Sequence, residues 1–218
     1  MEQRCLHPAY IGLRESNEQH WQAWKTAQTG WPFVDACMRY LMHHGWINFR
    51  MRAMLMSIAS YPLWLPWQQP AYRLAQLFTD YEPGIHYPQV QMQSGTTGIN
   101  IPRIYNPTKQ AQKQDPHGEF TKRWVPELAH VPTEWLFAPW LLTPQLQKRY
   151  GVIIGKDYPA PPVDFDSAVR QAKQAISDIR RGNFRQTARV IGQKHGSRKR
   201  SSNRKIKTTN KQQLNLFE

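Results

Sequence analysis

Two adjoining stretches, Pro32 to Leu41 (PFVDACMRYL) and Gly45 to Arg52 (GWINFRMR), decide how the chain folds. Pro32 suits a first helical turn, where its missing N–H has no intrahelical acceptor to lose, so Thr29-Gly30-Trp31-Pro32 reads as a helix start. Phe33, Val34, Cys37, Met38 and Leu41 then recur at helical spacing, and Gly45 stops the run. A second helix follows from about Ile47 to Ser60, ended by the prolines at 62, 66 and 70. A third is expected from Trp67 to Thr79.

Outward from this pair, Tyr81 to Pro116 loses periodicity and gathers Gly, Pro, Asn and Thr, which predicts a long irregular segment with short helical turns. Asp164 is a good N-cap for a helix whose Phe165, Ala168, Val169, Ala172, Ala175, Ile176 and Ile179 make one apolar stripe, with Gly182 ending it and a shorter helix reaching about Gln193. No alternating strand pattern occurs, so the expected fold is all-α. All nine tryptophans lie between Trp21 and Trp140, which marks the folded heart.

The 218 residues suit one domain, expected over residues 1–195, and a tail over 196–218. Lys and Arg number 29 against 15 Asp and Glu, a formal charge of +14, so polyanions are the expected partners. Eight of those charges (Lys194, Arg198, Lys199, Arg200, Arg204, Lys205, Lys207 and Lys211) fall in a tail stretch without Asp or Glu. Nearly all of Gly196 to Gln212 is polar, which predicts disorder and salt-sensitive DNA affinity. Two cysteines, Cys5 and Cys37, make no disulfide framework. The start lacks the apolar core of a signal peptide, and no apolar run approaches the ~20 residues of a membrane span. A bacterial cytoplasmic protein, with no membrane partner, is the expectation. Paired Cys-x-x-Cys, His-Glu-x-x-His, Walker and Gly-x-Ser-x-Gly motifs are absent from the sequence, so no metal site is expected and hydrolytic readings start weak.

A series of blocks carries more information: Trp24 to Gly30 (WKTAQTG), the two opening stretches, Asp80-Tyr81-Glu82, Arg103 to Pro107 (RIYNP), Asp115 to Glu119 (DPHGE) and Arg123 to Leu128 (RWVPEL). In order and spacing they resemble the helical FAD-binding region of DNA photolyases and cryptochromes, over Trp21 to Pro159. The resemblance implies an FAD cofactor and light-driven repair, in which reduced flavin donates an electron to a pyrimidine dimer in DNA. It implies that Arg52 and Asp80 pair beside the flavin ring, a desolvated fork that stabilises negative charge on the reduced ring. Trp46 would lie near the adenine end, with Phe49 and Glu82 also in the cofactor site. Trp67 would match the middle member of an electron-carrying tryptophan chain. Arg50, Arg103 and Asn106 would match positions touching the DNA backbone.

Several positions depart from the family pattern. His86 stands where an asparagine faces the flavin, and it is carried with Trp67 as a catalytic candidate. Val90 and Arg14 replace two tryptophans of the chain, and Met92 replaces one that contacts the lesion. His86 to Gly98 (HYPQVQMQSGTTG) therefore suggests a subgroup with its own wiring. Nothing before Trp21 resembles the Ser/Thr-rich loop with which the family holds the FAD phosphates. Expected partners thus include a separately encoded N-terminal half. The alternatives are a non-catalytic or truncated DNA- and clamp-binding module that binds no flavin, or a cryptochrome-like light sensor. Finally, Gln213, Leu214, Leu216 and Phe217, in QLNLF, resemble the peptide with which bacterial repair proteins dock on the sliding clamp, two leucines and a phenylalanine on a polar tether.

Overall fold

The computed structural model describes residues 8–97 and 102–182. Among these residues ten α-helices run in chain order: α1 (Glu18–Lys25), α2 (Pro32–His44), α3 (Phe49–Ser60), α4 (Gln68–Leu77), α5 (Pro83–Gln93), α6 (Pro107–Gln114), α7 (Glu119–Trp124), α8 (Thr133–Leu136), α9 (Pro144–Tyr150) and α10 (Phe165–Gly182). No strand occurs among the described residues, so the fold is all-α as the sequence predicts. Cys5, the tail and its QLNLF peptide lie outside the described residues.

α2 begins at Pro32 and stops at Gly45, whose φ of +69° is the left-handed conformation that suits glycine. α3 is the central helix: Asn48 caps it by accepting from the Met51 N–H, and Met51 and every residue from Ala53 to Ser60 are buried. From Ala53 onward the helix is buried on every side and so must be surrounded, and α2, α4 and α5 pack around it. α2 also carries α6 and α7. α10 turns Val169, Ala172 and Ile176 inward, and Asp164 caps it through the Ser167 N–H at 2.8 Å.

One expectation needs correction. Among the described residues from Tyr81 to Pro116, two helices of more than two turns, α5 and α6, take the place of short helical turns, with irregular chain between them. Two of its prolines start helices and Pro88 sits inside α5: Glu82 and Asn106 accept from backbone N–H groups of the first turns, with Pro83 and Pro107 in the first helical position. The helices expected over 47–60 and 67–79 are each slightly shorter than predicted, because Asn48 and Trp67 are N-caps and not helical residues.

Candidate functional site

Between the N-terminal half of α3, the end of α4 and the outward face of α5 lies a cavity of about 320 Å³. Trp46, Phe49, Arg52, Asp80, Glu82 and His86, the cofactor-site residues that the resemblance implies, all line it. Gly45 helps to bring them together. Its carbonyl accepts from the Thr79 N–H at 2.9 Å and the Thr79 hydroxyl at 3.2 Å, which fixes Asp80 beside the start of α3.

Arg52 is held from three sides. Its Nε donates to the Ile47 carbonyl at 2.7 Å, its Nη2 donates to Asp80 Oδ2 at 2.8 Å, and its Cζ sits 4.2 Å from the centroid of the Phe78 ring. The pair is not the buried two-pronged fork expected from the resemblance. Ile47 takes the Nε, so a single hydrogen bond remains, and the Arg52 and Asp80 side chains are 20% and 49% exposed. The hydrogen bond from Arg52 holds the Asp80 carboxyl below its ordinary range.

His86 is buried and places Nε2 2.9 Å from the Ala71 carbonyl. A carbonyl only accepts, so Nε2 carries the proton and Nδ1 is left as an acceptor. Burial pushes the imidazole pKa down, with nearby Arg52 acting in the same direction, so the ring is neutral at physiological pH. Trp46 and Phe49 are exposed at the rim, and Glu82 both lines the cavity and caps α5.

The other candidates sit elsewhere. Trp67 is 2% exposed and lines a separate small cleft with Tyr10, Arg14 and Gln68. Arg14 is buried there, donating to the Ser60 and Ser94 carbonyls at 2.9 and 2.6 Å, with its guanidinium 4.6 Å from the Trp64 ring centroid. Arg50 and Arg103 are exposed, and the Asn106 oxygen is used in capping α6.

Sequence reasoning missed Gln89 and Gln93, which also line the cavity. Both side-chain oxygens are buried without a hydrogen-bond partner. A signal existed, because Glu82, Ile85, His86, Gln89, Val90 and Gln93 recur at helical spacing and form one face of α5.

A cavity floored by apolar side chains, with a cation–carboxylate pair at its rim, suits a flat ring system with polar edges. The family model described as the FAD binding domain of DNA photolyase matches residues 1–178, and the chain belongs to that family. It is 33% identical over 172 residues to a deoxyribodipyrimidine photo-lyase of Alkalihalophilus pseudofirmus, covering 76% of this chain and 35% of that protein. It is 37% identical over 168 residues to cryptochrome-2 of Arabidopsis thaliana, covering 76% of this chain and 28% of that protein. Among solved structures, a class III photolyase from Agrobacterium tumefaciens superposes with a TM-score of 0.76 at 28% identity, over 83% of this chain and 38% of that one. The chain therefore spans about a third of the length of the curated relatives it matches.

Proposed function

We propose that this chain supplies the helical wall of an FAD site in a photolyase-type protein that repairs pyrimidine dimers in DNA by light-driven electron transfer. The observation that carries the reading is the convergence on one cavity of Arg52, Asp80, Glu82, His86, Trp46 and Phe49. When bound, FAD would supply the photochemistry, and the protein's part is to hold it and set its surroundings.

Each residue has a physical task. Phe78, Leu74, Met56 and Val90 offer apolar surface to a ring and keep water from it. Arg52, steadied by Ile47 and Asp80, presents positive charge where a ring that gains an electron becomes negative. Neutral His86 adds an acceptor without adding a second cation. Arg50 and Arg103 lie exposed, where solvated guanidinium groups suit a phosphate backbone. The C-terminal QLNLF peptide would tether the protein to a sliding clamp, so DNA and the clamp are its proposed partners.

A second reading has its own support. Among the described residues lining the cavity, Arg52 is the only Lys or Arg, whereas FAD carries two phosphates. The fit to the ring is therefore better than the fit to the whole dinucleotide. A module that keeps the fold, DNA contacts and clamp peptide without the cofactor answers that observation.

Titrating the purified chain with FAD separates the two. The flavin reading expects a bound, quenched flavin that survives gel filtration, and illumination of the reduced complex should then restore dimer-containing DNA relative to a dark control. Absence of bound flavin at saturating FAD would overturn it. Flavin binding without repair would leave a light sensor as the function.

A further inference from the structure

A row of rings crosses from the cavity to solvent through α5 and α4. His86 lines the cavity, and its ring centroid lies 5.1 Å from that of Tyr87. Tyr87 is 3% exposed, and its centroid lies 6.5 Å from that of Tyr72, edge to face. Tyr72 is 45% exposed. The two helices are held together at this spot by the hydrogen bond from His86 to the carbonyl of Ala71, the residue before Tyr72. A phenol sealed in the core thus stands between a ring on the cavity wall and a phenol in water.

Electron tunnelling weakens exponentially with distance, so rings in contact pass electrons readily, and tyrosine is among the few side chains that a photoexcited flavin oxidises. Other groups are less suited. Val90 puts an aliphatic side chain on the cavity wall. Trp67 lines a separate cleft with Arg14, whose positive charge opposes the loss of an electron nearby. Trp46 and Tyr81 line the cavity itself, and an electron taken from a ring lying against the flavin returns before the charges separate. We infer that Tyr87 and Tyr72 are a two-step electron route from the surface to a flavin held in the cavity. Tyr87 gives up an electron and regains one from Tyr72. Over both hops one electron reaches the flavin, Tyr72 is oxidised to a phenoxyl radical, and its phenolic proton leaves to water. A thiol in solution then restores Tyr72 by giving it a hydrogen atom. This inference rests on the flavin reading above and adds the residues that supply the cofactor with electrons.

Spin trapping locates the radical. The full chain, saturated with oxidised FAD and freed of oxygen, is illuminated with a nitroso spin trap present, and the adducts are placed by peptide mass spectrometry. The wild type should carry the adduct on Tyr72, and Tyr87→Phe, which keeps the ring and its packing, should lose it with FAD still bound. A ruthenium photo-oxidant with persulfate reaches Tyr72 from solvent and should mark it equally in both proteins, which separates a broken route from a hidden side chain. Tyr72→Phe alters only an exposed hydroxyl, so it leaves the fold intact. With a thiol in place of the trap, light should bleach the bound flavin much more slowly in this variant than in the wild type.

The outcomes separate cleanly. Failure of the wild type to bind FAD overturns the flavin reading, and this inference with it. Bound FAD with Tyr72 marked equally in wild type and Tyr87→Phe, or with adducts confined to Trp46 and Tyr81, overturns the inference alone. Bleaching of Tyr72→Phe at the wild-type rate does the same.

Discussion

Asp35 sits in the middle of the stretch that starts the fold, fully buried at 0% exposure. Four donors converge on its carboxylate. The Thr29 N–H and hydroxyl lie 2.9 and 2.7 Å from Oδ1, the Gly30 N–H lies 3.2 Å from Oδ2, and the Tyr158 hydroxyl donates to Oδ2 from 123 residues away. Burial pushes its pKa up to about 6 from the ordinary 3.8, against the pull of Tyr158, Thr29 and Arg39. The sign follows directly. The folded state holds this proton more tightly than the unfolded state, so the stability it contributes is fully present below about pH 4 and is lost as pH rises through about 6. At about 1.4 kcal/mol per pKa unit, the loss is roughly 3 kcal/mol.

Asp35→Asn isolates this contribution. His86, whose pKa burial lowers, acts in the opposite sense, its stability fading as pH falls below 6.5. Asp80, hydrogen-bonded by Arg52, and Glu127, where Arg39 prevails over burial, lose theirs at still lower pH. Wild type and variant share those groups, so they cancel in the difference between the two proteins. Urea unfolding followed by tryptophan fluorescence at pH 4, 5, 6 and 7 gives that difference. The wild type's advantage over the variant should shrink by roughly 2.5 kcal/mol from pH 4 to pH 7. Parallel stability curves, or an advantage that grows with pH, would refute the reasoning.

Other perturbations probe other layers. Gly30→Ala places a Cβ 2.4 Å from the Pro161 nitrogen and 2.5 Å from the Ala160 carbonyl carbon, at a φ of +75°, and should destabilise by ~3 kcal/mol or more in chemical denaturation. Asp80→Asn breaks a half-exposed ion pair, so stability should change by less than about 1 kcal/mol, while flavin affinity falls several-fold as Arg52 loses one of its anchors. Leu216→Ala combined with Phe217→Ala should abolish binding to a sliding clamp in surface plasmon resonance, and equal binding by the variant would remove the clamp from the list of partners.

The sequence made α2 and α3 legible because their signals are local: Pro32 and Gly45 at the ends, and apolar spacing between. α5 was hidden because Pro83, Gly84 and Pro88 resemble breakers and its cavity face is largely polar. The decisive feature was the Glu82-Pro83 cap, the same device as Asn106-Pro107 and Thr143-Pro144. Arg52 and Asp80 came from resemblance, since nothing local joins residues 28 apart, and the half-open geometry of the pair depends on where the Ile47 carbonyl falls. Gln89 and Gln93 look like solvated helix residues until α3 and α4 pack against them. Asp35 was equally silent, because its partner Tyr158 reaches it only through the completed fold.

The cavity has two parts that respond to change in different ways, and this gives a means of telling direct effects from indirect ones. Its rim, with Asp80 half-exposed and Trp46 and Phe49 in solvent, holds groups whose removal costs little folding energy. Its floor is packed apolar surface, with Met56, Leu74 and Phe78 buried, so truncating one of them should cost folding energy and ligand affinity together. The scaffold around Gly30 and Asp35 is different again, since damage there lowers stability first and affinity only as the folded fraction falls. A variant that weakens flavin binding with stability unchanged is thus acting at the rim, and one in which the two fall together is acting through the packed floor or the scaffold.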